Sequence, residues 1–282
     1  MIVSVVGQGY VGYPLAKAIQ GVGISCYGID NSSKIINQLA KSKSSIKKSV
    51  TRSKSFYIPT AEYGVISESK VVLVCLPTPL NKYSSPDTSI LESSLLKISK
   101  LISANSLLVI ESTVAPEYVR KIATDFKLID IAFSPERIDP LNQKWDVKNT
   151  PKLVAGLTDK ARDRAVEFYS KFIDTVIPCS SLEVAETAKL LENSFRLINI
   201  SFINELAIFC NKMGIDVQEV IKAASTKPYG FMPFYPSVGI GGHCIPVDPV
   251  YLSHKAKEVG APTSFIDLAT KVNHETVSYT HL

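Results

Sequence analysis

The chain opens on an apolar run, Ile2 to Val6, that stops at Gly7, passes into a helix-period pattern (Val11, Leu15, Ala18, Ile19) and returns to an apolar run at Ile24 to Ile29. Short apolar runs bounded by glycine read as buried strands and the 3.6-residue spacing between them as a helix, so this segment predicts a strand, helix, strand unit. Further apolar runs at Val71 to Leu76, Leu107 to Ile110, Ile129 to Phe133 and Leu153 to Gly156 alternate with helix-like stretches at Leu91 to Ile102, Glu117 to Asp125 and Asp159 to Phe172. Such alternation predicts an α/β fold, with a Rossmann-like, parallel, doubly wound sheet covered by helices on both faces over residues 1–179.

After Cys179 the pattern changes. Neither Gly nor Pro occurs from Leu182 to Met213, Ser180 with Glu183 reads as a capping box, and Gly214 reads as a stop. A helix of that length spans about 45 Å, more than one layer of a compact sandwich needs. It is therefore expected to be the spine of a second, all-helical domain over residues 180–276. Asp216 with Glu219 opens another helix. The stretch from Thr226 to Asp248 is too rich in proline and glycine for a periodic element and reads as a structured loop. Asp248, as N-cap before Pro249, opens a helix stopping near Gly260, and a last one starts around Ser264.

Composition bounds the function classes. A chain of 282 residues, 45% hydrophobic and 20% charged, can bury a sizeable core and favours two domains. The formal charge of +5 is densest at Lys41, Lys43, Lys47, Lys48, Arg52 and Lys54, among serines and without interleaved aromatics. That reads as a solvated segment rather than a nucleic-acid contact. The five cysteines, Cys26, Cys75, Cys179, Cys210 and Cys244, are odd in number and lack CxxC spacing. Neither a disulfide framework nor a zinc site is expected, and reduced thiols fit a cytoplasmic location. The N-terminus has no basic n-region, and no apolar run approaches the roughly 18 residues of a membrane span, so no membrane partner is expected.

Two regions carry chemistry. In GQGYVG (Gly7, Gly9, Tyr10, Val11, Gly12) the glycines allow a tight turn, close backbone approach to a pyrophosphate and close helix packing, while the helix N-terminus offers N–H donors to phosphate. Asp30 ends the second strand 18 residues after Gly12, where a carboxylate accepts from ribose hydroxyls and repels a 2′-phosphate, so NAD is expected over NADP. Asp30 also reads as a turn residue capping the next helix with Asn31 and Ser32. PTPL (Pro77, Thr78) and ESTV (Thr113) stand at carboxyl ends of strands, where ligands collect, though either threonine could simply terminate its strand. Near the other end, GIGGHCIPVDP (Gly239 to Pro249) sets Cys244 in a glycine-rich loop. A reactive thiolate needs exposure, whereas Cys75 and Cys210 sit in apolar patterns. His243 is adjacent in sequence, so no Cys-His dyad is expected. Lys189, Asn193 and Arg196 share one helix face, which reads equally as a solvated stripe.

Together these segments, with SPER (Ser134 to Arg137), AKLLENSFRLINISFINELA (Ala188 to Ala207) and FMPFYPSVGIGGHCIPVDPVYL (Phe231 to Leu252), resemble the UDP-glucose/GDP-mannose dehydrogenase family over residues 1 to about 274. Within it they look like the branch acting on UDP-N-acetylhexosamines. The resemblance implies a four-electron oxidation of a sugar C6 alcohol to the acid with two NAD in succession. It implies Cys244 as nucleophile, Lys189 and Asn193 as oxyanion stabilisers, and Asp248, Glu136 and Thr113 as the group that positions and deprotonates water. Sugar-nucleotide contacts are implied for Glu136, Arg137, Lys189, Asn193, Arg196, Phe234, Tyr235, Gly239 and Gly241. The family also implies a homodimer through the helical domain.

Several positions depart from the family pattern. Ala115, Pro116 and Glu117 stand where Pro-Gly is usual, and Leu141 follows Pro140 where glycine is common; both are expected to alter backbone rather than chemistry. FYPSVG (Phe234 to Gly239) replaces Pro-Gly-Pro-Gly. Val247 replaces the lysine of UDP-glucose enzymes, while His243 and Ile245 follow the acetamido-sugar branch. A third, nucleotide-binding domain is not represented, and VSYTHL (Val277 to Leu282) looks like adapter-derived sequence, so a truncated gene fragment is expected. The competing readings are a UDP-glucose 6-dehydrogenase, a two-electron β-hydroxyacid dehydrogenase, against which GGHC speaks, and an NAD-binding dimer without activity.

Overall fold

The structure of the protein, a computed structural model, describes residues 1–46, 55–138, 142, 144–240, 242 and 245–279. Most of the lysine-rich segment, Pro140 and Leu141, Gly241, His243, Cys244 and the end of VSYTHL lie outside the described residues. The chain divides into two compact units, Met1–Thr78 with Asp87–Lys189, and Pro79–Pro86 with the chain from Leu190 onward.

In the first unit the elements are β1 (Ile2–Val6), α1 (Gly12–Gly21), β2 (Ser25–Ile29), α2 (Ser33–Ile46), β3 (Tyr57–Thr60), a 3-10 helix (Tyr63–Glu68), β4 (Val71–Val74), α3 (Ser89–Leu101), β5 (Leu107–Ile110), α4 (Tyr118–Asp125), β6 (Ile131–Phe133), β7 (Lys152–Gly156), α5 (Asp159–Tyr169), β8 (Val176–Pro178) and the start of α6 (Leu182–Met213). They form one eight-stranded sheet in the order β3-β2-β1-β4-β5-β6-β7-β8. The order reverses at β1, between β2 and β4, which places the turn after β1 at a topological switch point.

The central strands β1, β4, β5 and β6 are buried on both faces. Val3, Val5, Leu73, Val109 and Ala132 pack with Leu15 and Ile19 of α1 and Phe168 and Tyr169 of α5. Their sequence neighbours Val6, Val72, Val74, Leu108, Ile110 and Phe133 pack with Leu91 and Leu95 of α3 and Val119 and Ile122 of α4. Burial of both alternating sets is why these strands read as continuous apolar runs.

The sheet is not wholly parallel, which corrects the sequence expectation: β7 runs antiparallel to β6, pairing Ala132 with Gly156 and Phe133 with Ala155. A parallel partner needs a crossover, usually a helix, and the β6–β7 connection has no helix among its described residues. The edge strands β3 and β8 gave no clear pattern. Each is short and contains a proline, Pro59 or Pro178, which only an edge position tolerates well.

The second unit holds the rest of α6, α7 (Val217–Ala224), α8 (Asp248–Glu258) and α9 (Ser264–Tyr279). Leu197 of α6, Ile240 and Ala269 of α9 form its buried contact, and the Ser201 hydroxyl donates to the Ala269 carbonyl at 2.9 Å. Gly214 ends α6 with φ +69, and Ile215 N–H returns to the Cys210 carbonyl at 2.9 Å while Gly214 N–H reaches Asn211 at 3.2 Å, a Schellman closure. At the start of α6, Ser181 rather than Ser180 supplies the cap, its hydroxyl accepting from Val184 N–H at 3.3 Å. Glu183 turns outward to Arg120 instead of closing a box. Among the described residues no helix is long and apolar enough to cross a membrane.

Candidate active site

The turn after β1 is built by exclusion. Gly7 has φ +89, and a Cβ there would lie 2.3 Å from the Cys75 carbonyl oxygen; a Cβ on Gly12 would lie 1.8 Å from that of Gly7. No such clash exists at Gly9, whose missing side chain instead leaves the outer side of the turn open. Tyr10 is 80% exposed, and α1 begins after Val11 with no side-chain cap on its first N–H groups. A tight turn, an open backbone edge and a helix N-terminus without a side-chain cap fit a dinucleotide pyrophosphate.

Asp30 fastens this turn to β2. One carboxylate oxygen accepts from Gln8 N–H at 2.8 Å and the other from Ser32 N–H at 2.9 Å, so it is at once the turn residue and an acid beside the glycine loop. Gln8 lay unmarked inside the motif. Buried, it donates to the Val5 carbonyl at 2.8 Å and accepts from Tyr57 hydroxyl at 2.8 Å. Gly28 makes room for it, since a Cβ there would meet Gln8 Oε1 at 2.5 Å.

The next strand ends are tied to one another. Thr78 hydroxyl donates to the Thr113 carbonyl at 2.8 Å, and Leu76 N–H donates to the Ser112 hydroxyl at 2.9 Å. Pro77 is exposed beside them. Beyond β6, Glu136 folds back so that Oε1 accepts from Arg137 N–H at 2.7 Å and from Ile138 N–H. Arg137 donates from Nη1 to the Pro151 carbonyl at 2.8 Å.

Glu117 occupies the left-handed region at φ 72, a conformation that favours glycine. Its N–H and that of Val119 donate to the two oxygens of Glu186 at 2.8 and 3.0 Å. Glu186 thus satisfies the N-terminus of α4 from the first turns of α6, one helical turn before the buried Lys189. Burial pushes the Glu186 carboxyl up to about 7, although both N–H donors pull it down.

In the second unit Asn193 and Asp248 come together. Asn193 Nδ2 donates to Asp248 Oδ2 at 2.6 Å, and the two residues are 7% and 3% exposed. Asp248 is the first residue of α8, with Val247 before it as N-cap, which corrects the N-cap expectation. Its carboxylate accepts from Asn193 and lies at the positive end of the helix dipole. Arg196 is exposed one turn beyond Asn193.

The loop before α8 is held at described points. Ser237 N–H donates to Asn204 Oδ1 at 2.8 Å, and Asn273 accepts from Ile240 N–H at 2.7 Å. Gly239 has φ 104. Phe234 packs edge-on to Phe195 with centroids 5.8 Å apart, and Tyr235 is 57% exposed. Gly241 and Cys244 lie outside the described residues. Among the other cysteines, burial pushes Cys26 up to about 12, Cys75 well above its ordinary value, and Cys179 upward, all of which disfavour a thiolate.

Comparison with known proteins gives a consistent picture. Residues 1–173 match the UDP-glucose/GDP-mannose dehydrogenase family, NAD binding domain, and residues 183–275 match that family's central domain. The chain is 34% identical to a UDP-N-acetyl-D-glucosamine 6-dehydrogenase of Pseudomonas aeruginosa, covering 96% of this chain and 67% of that protein. It is 31% identical to a UDP-N-acetyl-D-mannosamine dehydrogenase of Methanococcus maripaludis, covering 98% of this chain and 66% of that one. The solved UDP-D-ManNAc dehydrogenase of Pyrococcus horikoshii superposes with a TM-score of 0.88 at 27% identity, over 100% of this chain and 70% of its own.

Proposed function

We propose a function from one premise: the chain belongs to the UDP-glucose/GDP-mannose dehydrogenase family. It is an NAD-dependent enzyme of nucleotide-sugar oxidation, and its proposed reaction is conversion of the C6 alcohol of a UDP-N-acetylhexosamine to the carboxylate. NAD-binding and helical domains are assigned to residues 1–179 and 180–276. Gly7, Gly9, Tyr10, Val11, Gly12, Asp30, Pro77, Thr78 and Thr113 are the proposed contacts of the dinucleotide, which accepts a hydride at each oxidation.

Two oxidations on one carbon set the demands on the protein. Loss of the first hydride and a proton gives an aldehyde, which has no oxyanion from which a second hydride can leave. Addition of the Cys244 thiol to that carbonyl forms a carbon–sulfur bond and a thiohemiacetal. Loss of the second hydride and its proton yields a thioester, and water then releases the acid and regenerates the thiol. Lys189 and Asn193 are assigned to the oxyanions, which an ammonium and an amide N–H stabilise. Asp248, Glu136 and Thr113 are assigned to the hydrolytic water.

The observation that carries this reading is the buried Asn193–Asp248 pair. An apolar pair would fill a core position at no desolvation cost, so a buried amide and carboxylate in contact favour a chemical role. Preference for an acetamido sugar is supported by the substrates named for the two relatives above and by Val247 in place of lysine. Arg137, Arg196, Phe234, Tyr235, Gly239 and Gly241 are the proposed further substrate contacts. Exposed Phe202, Phe209 and Met213 on α6 support homodimerisation through the helical region.

Steady-state comparison of UDP-N-acetylglucosamine, UDP-N-acetylmannosamine and UDP-glucose tests the assignment. Higher kcat/KM for an acetamido sugar is expected. A preference for UDP-glucose, or turnover of a β-hydroxyacid instead, would refute it.

A further inference from the structure

Lys152 opens β7 and is only 7% exposed. Its Nζ donates to Glu111 Oε2 at 2.6 Å, to the Pro135 carbonyl at 3.2 Å and to the Ser134 carbonyl at 3.5 Å. The other oxygen of Glu111 accepts from the Tyr169 hydroxyl, and the Tyr169 ring centroid lies 5.2 Å from Nζ. Burial raises the Glu111 carboxyl against the pull of Lys152. Burial depresses the ammonium, but the Glu111 and Glu136 charges and the Glu111 hydrogen bond act against it and the net shift is upward, so Lys152 stays protonated.

The residues on either side of Lys152 hold the same segment. Pro151 takes the Arg137 guanidinium, and the Leu153 carbonyl accepts from Ser134 hydroxyl at 2.8 Å. Three consecutive residues thus grip Ser134 to Arg137, which carries Glu136, and Lys152 also reaches Glu111, two residues before Thr113. The ion pair would be complete without the two carbonyls, and apolar side chains of similar volume would serve the core at least as well. What the charged arrangement supplies is a fixed register between two strand ends.

We propose that Lys152 is a positioning residue of the oxidation, locking the Ser134–Arg137 segment to the Glu111–Thr113 segment so that Glu136 and Thr113 share one geometry. This rests on the roles proposed above for Glu136 and Thr113. Lys152 Nζ bonds Glu111 and the Ser134 and Pro135 carbonyls, and its proposed action is through those two segments.

The test is the paired substitution Glu111→Gln with Lys152→Met, which removes both charges and keeps an acceptor for Tyr169. The unfolding midpoint should stay near parental, while amide exchange over residues 134–138 rises about tenfold or more. In turnover kcat at saturating NAD and nucleotide sugar should fall by about tenfold or more, as misplacement of catalytic groups produces. Parental exchange and parental kcat together would overturn the proposal. Should the neutral pair not fold, Lys152→Arg keeps the charge pairing but moves the donors off both carbonyls, and a parental kcat there overturns it equally. A parent chain that forms no NADH with any nucleotide sugar refutes the functional reading instead, and exchange at 134–138 then decides the role of Lys152 by itself.

Discussion

Asn193 Nδ2 lies 2.6 Å from Asp248 Oδ2, joining the long helix α6 to the first residue of α8 in a buried contact. A hydrogen bond to a charged group contributes about 1.5–3 kcal/mol, so Asn193→Ala should lower unfolding free energy by that order and reduce turnover at least tenfold. Asn193→Asp sets two carboxylates against each other, and one must hold a proton. Its deficit in stability should therefore deepen as pH rises from 5.5 to 8. Urea unfolding at the two pH values checks this, and a deficit independent of pH would contradict the contact.

Glu186 gives a pH dependence of known sign. Its folded carboxyl is pushed by burial to about 7 from an ordinary value near 4.5. The folded chain thus holds a proton that the unfolded chain releases, so the associated stability is complete below about pH 4.5 and is lost as pH rises through 7. Other carboxylates contribute with the opposite sign, so comparison with Glu186→Gln isolates the effect. Between pH 5 and 8 the difference should move in favour of the glutamine variant by roughly 2.5 kcal/mol; a constant difference would show that Glu186 is not raised.

Glu117→Gly should stabilise the first unit. A left-handed φ of 72 costs a residue with a side chain about 1–2 kcal/mol, partly offset by the greater freedom of glycine in the unfolded chain. A gain of up to about 1 kcal/mol in thermal or urea unfolding is expected, with the N–H contact to Glu186 kept. The altered sequence after ESTV therefore leaves a glycine-like turn held by a buried carboxylate.

Asp30→Ala should weaken NAD and relax selection against NADP together. The substitution removes the acceptor of Gln8 and Ser32 N–H and the charge that repels a 2′-phosphate. Fluorescence titration should show NAD Kd rising about tenfold and the NAD to NADP ratio narrowing, by analogy with loss of a charge-assisted hydrogen bond. An unchanged ratio would remove Asp30 from the ribose site.

The parts legible in the sequence were those fixed by local periodicity. Buried strands such as Val71–Val74, the unbroken helix Leu182–Met213 and the glycine stops at Gly214 and Gly260 each follow from short-range pattern. The edge strands and the reversal at β7 depend on partners distant in sequence. The site divides in the same way. The glycines of the turn carry their reason in the motif, whereas Gln8, Glu111, Lys152 and Glu186 act through contacts 17 to 69 residues away, or through a side chain folded back into its own turn. A buried carboxylate looks like any surface glutamate until its partners are placed.

The central claim is a double oxidation through Cys244, and the yield of NADH per molecule of sugar tests it most directly. With limiting UDP-N-acetylhexosamine and excess NAD, two NADH per sugar are expected from the intact enzyme, with the uronic acid as sole product. Cys244→Ala should fail to complete the acid. One NADH per sugar, or an acid yield unaffected by Cys244→Ala, would contradict the account.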